Sequence, residues 1–214
     1  MNQNGPAGSD LLSNTARVGS ASSAPRRIVV WGVTGSGKTT FAKRIGAAIG
    51  VDVVELDAIR HAHGWNSTDW PEFRAVLAER LDSMPDGWVV EGSYSQIMDV
   101  YLSRAEALVW LRLPFRISFW RLLKRTLSRG WTRTQLYTPT GPHESLRMSF
   151  TSKESILWWA ISAHRRSNRS RRERIASLRP DIAVYEITTP RDIEVFLAAV
   201  EAQAPVRPSG FSVT

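Results

Sequence analysis

Residues Gly32 to Thr39 read Gly-Val-Thr-Gly-Ser-Gly-Lys-Thr, the phosphate-binding pattern G-x-x-x-x-G-K-[ST] known as the P-loop. This octapeptide constrains the fold more than any other segment, because it functions only between a strand and a helix. Both flanks are present. Ile28-Val29-Val30-Trp31 before it is an apolar run that reads as a buried strand. Thr40 to Ile49 after it carries apolar residues at helical spacing, and Gly50 is a stop signal. The glycines at 32, 35 and 37 let backbone N–H groups approach phosphate oxygens, with Ser36 and Thr40 in the same cradle. Lys38 is placed to reach the β- and γ-phosphates and the Thr39 hydroxyl to ligate Mg²⁺. The first turn of the helix adds unpaired N–H groups and a positive dipole end. The expected ligand is a nucleoside triphosphate with magnesium, MgATP in the first instance. The plain structural alternative is a glycine-rich turn that binds nothing.

Strands and helices alternate through the rest of the chain. Apolar runs at Val51–Leu56, Trp88–Glu91, Leu108–Leu113 and Ile182–Ile187 read as four more strands, with Pro114 closing the fourth of the five. Their continuous apolar character points to a parallel sheet covered on both faces, a doubly wound α/β domain with ligands at the strands' C-terminal ends. Asp69-Trp70-Pro71-Glu72 resembles a capping box that opens a helix, and a second helix start lies near Thr151. Residues 1 to about 25, rich in Ser, Ala, Gly and Asn, are expected to be a disordered tail, and 205–214 a flexible one. That leaves one domain over 26–204. The segment from about 129 to 150 lacks a clear period and is long for a loop, which suggests a functional lid.

Composition narrows the setting. The 214 residues include no cysteine, so disulfides and cysteine metal sites are excluded. The N-terminus has no basic segment leading an apolar core, and the run Ile156–Ala163 is too short to span a bilayer, so a cytoplasmic protein without membrane association is expected. The net charge of +8 is unevenly distributed. Residues 112–179 hold 16 Lys and Arg against three Asp and Glu, while the remainder holds 12 against 17. An excess of that size faces phosphates, nucleic acid or an acidic surface.

The other chemical candidates follow strands. Asp57 lies where a second substrate would meet the γ-phosphate; it accepts a proton from a substrate hydroxyl, hydrogen-bonds the substrate, or merely caps a helix. Arg60 follows it, with His61 and His63 on what reads as a solvated loop. Glu91 either holds Mg²⁺, through water, or orients a substrate, and Gly92 permits close approach; the plain alternative is a turn. Arg112 interrupts an apolar run and needs a partner, at the phosphate site or at a strand end. Arg121, Arg125 and Arg129 share a helix face by their i, i+4 spacing, followed by Arg133 and by Arg165, Arg166, Arg169, Arg171 and Arg172. Arginines in such a series suit phosphate binding and the neutralisation of a transferring phosphoryl group. Trp120, Trp131, Trp158 and Trp159 read as core.

Taken together, GSGKTT-x-A, the strand ending ELD, Gly64-Trp65, DGWVVEGSY, VWLRLP, RLLKRTLSRG and TTPRDIEVFL are similar to the bacterial family of DNA topology modulation proteins, relatives of adenylate and shikimate kinases. The resemblance covers roughly residues 27 to 200. It implies a three-layer P-loop fold with a five-stranded parallel sheet in order 2-3-1-4-5 and an arginine-bearing lid. It also implies acceptor contacts at Asp57, Arg60 and Glu91-Gly92, lid arginines at 125, 129 and 133, and an adenine-side loop at Thr188–Arg191. Glu91 departs from the pattern, since related chains often carry Asp there. A lid without cysteine is not a zinc-bearing one. The activity implied is phosphoryl transfer from MgATP to a small-molecule or nucleotide acceptor, in which Lys38, Asp57 and the lid arginines act; the alternative is a nucleotide-dependent nucleic-acid-binding regulator. The acceptor and the oligomeric state are not readable from the sequence.

Overall fold

The structure, a computed structural model, describes residues 25–62, 68–132 and 168–203; in 125–132, as at 122, only the backbone is described. Five strands form one parallel sheet: β1 (Arg27–Gly32), β2 (Asp52–Glu55), β3 (Trp88–Glu91), β4 (Ala107–Leu111) and β5 (Ala183–Ile187). Their order is β2-β3-β1-β4-β5, as the resemblance implies. Every pairing is parallel, with Val30 beside Glu91 on one side of β1 and beside Val109 on the other. The connecting helices are α1 (Lys38–Ile49), α2 (Leu56–Arg60), α3 (Trp70–Asp82), α4 (Met98–Leu102), α5 (Phe115–Thr132), α6 over 168–176, and α7 (Pro190–Gln203). With the phosphate loop between β1 and α1 and helices packed on both faces, this is the three-layer α/β arrangement expected of a P-loop domain.

Alternation along the strands builds two cores. Val29 and Trp31 of β1 face one side with Val90, Leu108 and Trp110, where α3 brings Phe73, Leu77 and Leu81. Ile28 and Val30 face the other, against Phe41 and Ile45 of α1 and Phe196 and Leu197 of α7. Each fully buried side chain of this size contributes about 1.5–3 kcal/mol, so a one-residue slip of β1 would sacrifice both faces at once. The strand boundaries differ from the sequence reading by one or two residues. Strand β2 stops at Glu55 because Leu56 already begins α2. Strand β4 stops at Leu111, which leaves Arg112 beyond its end.

Capping explains the helix starts. Asp69 accepts a hydrogen bond from the Glu72 amide at 2.8 Å, with Pro71 in the first turn of α3. At α7, Thr189 and Asp192 cap reciprocally: the Asp192 amide donates to Thr189 Oγ1 at 3.2 Å, and the Thr189 amide donates to Asp192 at 2.9 Å. Among the described residues, no helix is long and apolar enough to cross a membrane. One expectation was misplaced: Trp120 is 59% exposed on α5 and forms no part of the core. Both tails (1–24 and 205–214), His63 to Trp65, Arg133, the bulk of the expected lid, the helix start near Thr151, and Trp158 and Trp159 lie outside the described residues.

Candidate active site

The parallel sheet brings the C-terminal ends of β1, β2 and β3 side by side, and the candidate residues sit there. The phosphate loop turns through Gly35 and Gly37, both with positive φ (81° and 92°). Gly37 is the N-cap of α1 and has no side chain to cap it, so the first-turn amides of α1 are not satisfied by a cap. An open N-terminus of this kind, beside a glycine turn, is chemically suited to an anion. The Ser36 amide donates to the Val33 carbonyl at 3.1 Å, which closes the loop. Ser36 is buried, and Thr40 is exposed on α1.

Lys38 and Thr39 both meet Glu91. The Lys38 ammonium lies 3.6 Å from Glu91 Oε1 and donates to the Val33 carbonyl at 3.4 Å. The Thr39 hydroxyl is hydrogen-bonded to the Glu91 carboxylate. Glu91 is 3% exposed. Burial pushes its carboxyl above the ordinary range, the positive charge of Lys38 opposes that, and the nearby carboxylates Asp57 and Glu55 add to it. A hydroxyl and a carboxylate in contact are two hard oxygen donors. Mg²⁺ takes few protein oxygens and completes its shell with water and phosphate, so the pair Thr39 and Glu91 fits that ion. Glu91 is the last residue of β3 and does not sit in a turn. The turn begins at Gly92, whose φ of 128° and close approach to Leu56, 3.0 Å from where a Cβ would stand, exclude a side chain.

Asp57 and Arg60 lie on the short helix α2, three residues apart and hence on one face. Asp57 is not a helix cap, since Glu55 holds that position. Its carboxylate instead accepts a 2.7 Å hydrogen bond from the Tyr94 hydroxyl, just beyond β3. The Arg60 guanidinium stands over the Trp70 ring, 4.1 Å from its centre, and among the described residues its Nη1 is buried without a hydrogen-bond partner. Tyr94 and Phe73 meet edge to face, and Trp70 tilts against Tyr94. This side of the strand ends is thus an aromatic wall carrying one carboxylate and one guanidinium.

The basic segment divides: among its described side chains Arg171 is buried and Arg112 and Arg174 are half-buried, while Arg116, Arg121, Lys124, Arg169, Arg172 and Arg179 are exposed. Arg121 of α5 donates to the Ser36 carbonyl at 3.1 Å and is therefore at the phosphate loop itself. Arg112 sits past the end of β4, where its amide donates to Ile187 and its side chain pairs with Glu186 on β5. This settles the two alternatives for Arg112 in favour of the strand end. Arg171 is 8% exposed and donates to the Gly32 carbonyl at 3.1 Å. Arg169 pairs with Glu173 and Arg179 with Asp181. The backbones of Arg125 and Arg129 lie on α5, while their side chains, with Arg133, fall outside the described residues. Arg191 is exposed in the first turn of α7, at the same end of the sheet as the phosphate loop. The sequence reading assigned no role to Tyr94, and it left Arg121 and Arg171 undistinguished within the basic series. The first immediately follows Glu-Gly-Ser, but nothing local marks it as the partner of Asp57.

No protein-family model and no curated protein matches the chain. Solved structures do resemble it over most of its length. An unliganded sugar kinase from Janibacter sp. HTCC2649 aligns with a TM-score of 0.47 at 19% identity, over 85% of this chain and 99% of that one. Shikimate kinase from Bacteroides thetaiotaomicron aligns with a TM-score of 0.49 at 16% identity, over 84% and 98%. At these values neither speaks to what the chain acts on.

Proposed function

We propose that the chain is a phosphotransferase that moves the γ-phosphoryl group of MgATP to a hydroxyl-bearing acceptor. The observation that carries this reading is the adjacency of two chemically different half-sites across neighbouring strand ends. On the donor side the phosphate loop, Lys38, Thr39 and Glu91 are gathered. On the acceptor side Asp57 is held by Tyr94. MgATP supplies the phosphoryl group, and the metal neutralises charge on it. Thr39 and Glu91 would hold the ion, while Lys38 would leave Glu91 for the phosphates. Arg121 adds positive charge at Ser36, and Arg125, Arg129 and Arg133 are the further arginines assigned to the transferring group. Asp57 would orient the acceptor hydroxyl and take its proton. Phosphoryl transfer needs mainly such positioning and charge neutralisation. The Arg60 Nη1, which has no hydrogen-bond partner among the described residues, fits an acceptor that carries an anionic group. Arg191 and the Thr188–Thr189 turn would flank the nucleotide base.

The test is an acceptor screen over nucleotides, nucleosides and small phosphorylated or carboxylated metabolites, with ATP hydrolysis alone as control. Asp57→Asn should then lower transfer by about 10²–10⁴, with MgATP affinity little changed. Equal transfer by wild type and variant would leave Asp57 a structural residue. What favours this reading over a nucleic-acid regulator is that Arg121 and Arg171, both from the basic segment, donate to carbonyls of the phosphate loop. Tight DNA binding at physiological salt, together with a screen that yields no acceptor, would reverse that preference towards a regulator.

A further inference from the structure

The two half-sites hang on different elements. The donor half belongs to β1, α1 and, through Glu91, the last residue of β3, and the acceptor half to α2 and the segment after β3. Transfer requires that they keep a common geometry, since misplacement by about 1 Å costs roughly 10²-fold. Arg171 touches both. It lies on α6, 139 residues along the chain from Gly32, and is 8% exposed. One of its terminal nitrogens, Nη2, donates to the carbonyl of Gly32, the first residue of the phosphate loop, at 3.1 Å. The same nitrogen lies 3.4 Å from Ser93 Oγ. The next residue, Tyr94, donates to Asp57 at 2.7 Å. A short run of contacts thus leads from the phosphate loop through Arg171 and Ser93 to the acceptor-side carboxylate.

Burial pulls the guanidinium down to about 10, which leaves it charged at neutral pH. A charge removed from water is tolerated when its hydrogen bonds are made in fixed geometry, so the backbone it holds is held firmly. Both contacts come from this one nitrogen, and a lysine ammonium, which ends one bond short of it along the side chain, does not reach the same place.

We propose that Arg171 is a positioning residue that couples the two half-sites, so that occupation of the phosphate loop fixes the segment after β3 and, through Tyr94, the placement of Asp57. Arg171 itself touches neither donor nor acceptor. The coupling is reciprocal: whatever nucleotide binding does for the acceptor side, an acceptor does for nucleotide affinity. The inference rests on the nucleotide-binding reading above, and its test separates the two.

The full-length chain is titrated with the β,γ-imido analogue of ATP plus Mg²⁺, by calorimetry and by amide hydrogen exchange, as wild type, Ser93→Ala and Arg171→Lys. In the wild type the probe should slow exchange about fivefold or more both in the phosphate loop and in residues 92–98. In Ser93→Ala, which removes one small hydroxyl and leaves the core intact, the probe should still bind and protect the phosphate loop, while protection of 92–98 is lost. Arg171→Lys should behave in the same way. Wild-type protection of 92–98 in both variants overturns the inference alone, as does a wild type that binds the probe without protecting 92–98. A wild type that does not bind the probe overturns the nucleotide-binding reading and the inference with it.

Discussion

Lys38 and Glu91 form the most consequential residue pair, and each makes a separate prediction. Lys38 meets Glu91 at 3.6 Å, so under the proposed function its ammonium would exchange one anion for another on binding phosphates. Removing it deletes charge-assisted contacts worth about 1.5–3 kcal/mol, or roughly ten- to a hundredfold in affinity. Lys38→Ala should therefore bind MgATP that much more weakly by calorimetry, with an unchanged far-ultraviolet circular dichroism spectrum. Unaltered affinity would remove Lys38 from the site. Glu91 has the opposite balance. Its carboxyl titrates above the ordinary range because burial outweighs the attraction of Lys38. A carboxyl with a raised folded value binds its proton more tightly folded than unfolded. Its contribution is fully present below the unfolded value and is lost as pH rises through the window up to the folded one. Glu91→Gln removes that loss. The variant should unfold at an equal or higher temperature than wild type at pH 7, with a smaller difference between pH 4 and pH 7. The same change should weaken Mg²⁺-dependent nucleotide binding about tenfold or more. A variant that is less stable at pH 7 and keeps its metal dependence would mean that Glu91 is an ordinary structural ion-pair partner.

Among the elements, α7 shows how a turn is made rigid beside a site. The Asp192 carboxylate accepts from the amides of Thr188 and Thr189 at 2.9 Å each and from their hydroxyls at 3.0 and 2.7 Å. Burial alone would raise its titration, but these four hydrogen bonds outweigh it and hold the carboxyl below the usual range. A depressed carboxylate stabilises the fold above its unfolded value, and that stabilisation is lost as pH falls through the folded one. Asp192→Ala should cost about 1–2 kcal/mol in urea unfolding at pH 7, and the deficit should shrink towards pH 3. A deficit independent of pH would mean that packing, and not the charge, is what the residue supplies. The same turn follows β5 where Ile187 pairs with Leu111 at the end of β4, so loosening it should also disturb the side of the sheet assigned to the nucleotide base.

For the molecule as a whole, ligand and stability are linked. A ligand that binds only the folded chain adds about 2.7 kcal/mol at 100 times its dissociation constant. For a domain of this size that corresponds to a rise of roughly 5–10 °C in the unfolding midpoint. MgATP at that concentration should produce such a shift in the wild type, and Lys38→Ala, with its ten- to hundredfold weaker affinity, should abolish roughly half or more of it at the same concentration. No shift in the wild type would contradict nucleotide binding by the folded chain. The uneven charge acquires a different meaning at this scale. From the sequence the excess over residues 112–179 could face phosphates, nucleic acid or an acidic surface; in the fold Arg121 meets the phosphate loop, Arg112 meets β5 and Arg171 is buried against Gly32, while Arg116, Lys124, Arg169, Arg172 and Arg179 are exposed.

The phosphate loop and the five strands were legible in the sequence because their physics is local. The phosphate-loop pattern from Gly32 to Thr39 needs only consecutive residues, and the buried strands β1, β3 and β4 announce themselves by apolar runs, while β2 and β5, partly exposed, carry Asp52, Glu55 and Glu186 within theirs. The Asp69 cap and the strand Trp88–Glu91 fell where the pattern placed them. The site's wiring was not legible, because its partners are far apart in the chain. Tyr94 reaches Asp57 across 37 residues, Arg112 reaches Glu186 across 74, and Arg171 reaches Gly32 across 139. No periodicity or spacing encodes such contacts. They arise only when parallel pairing in the order β2-β3-β1-β4-β5 brings the strand ends together, and side chains that look alike in a basic run are then sorted by what each one faces.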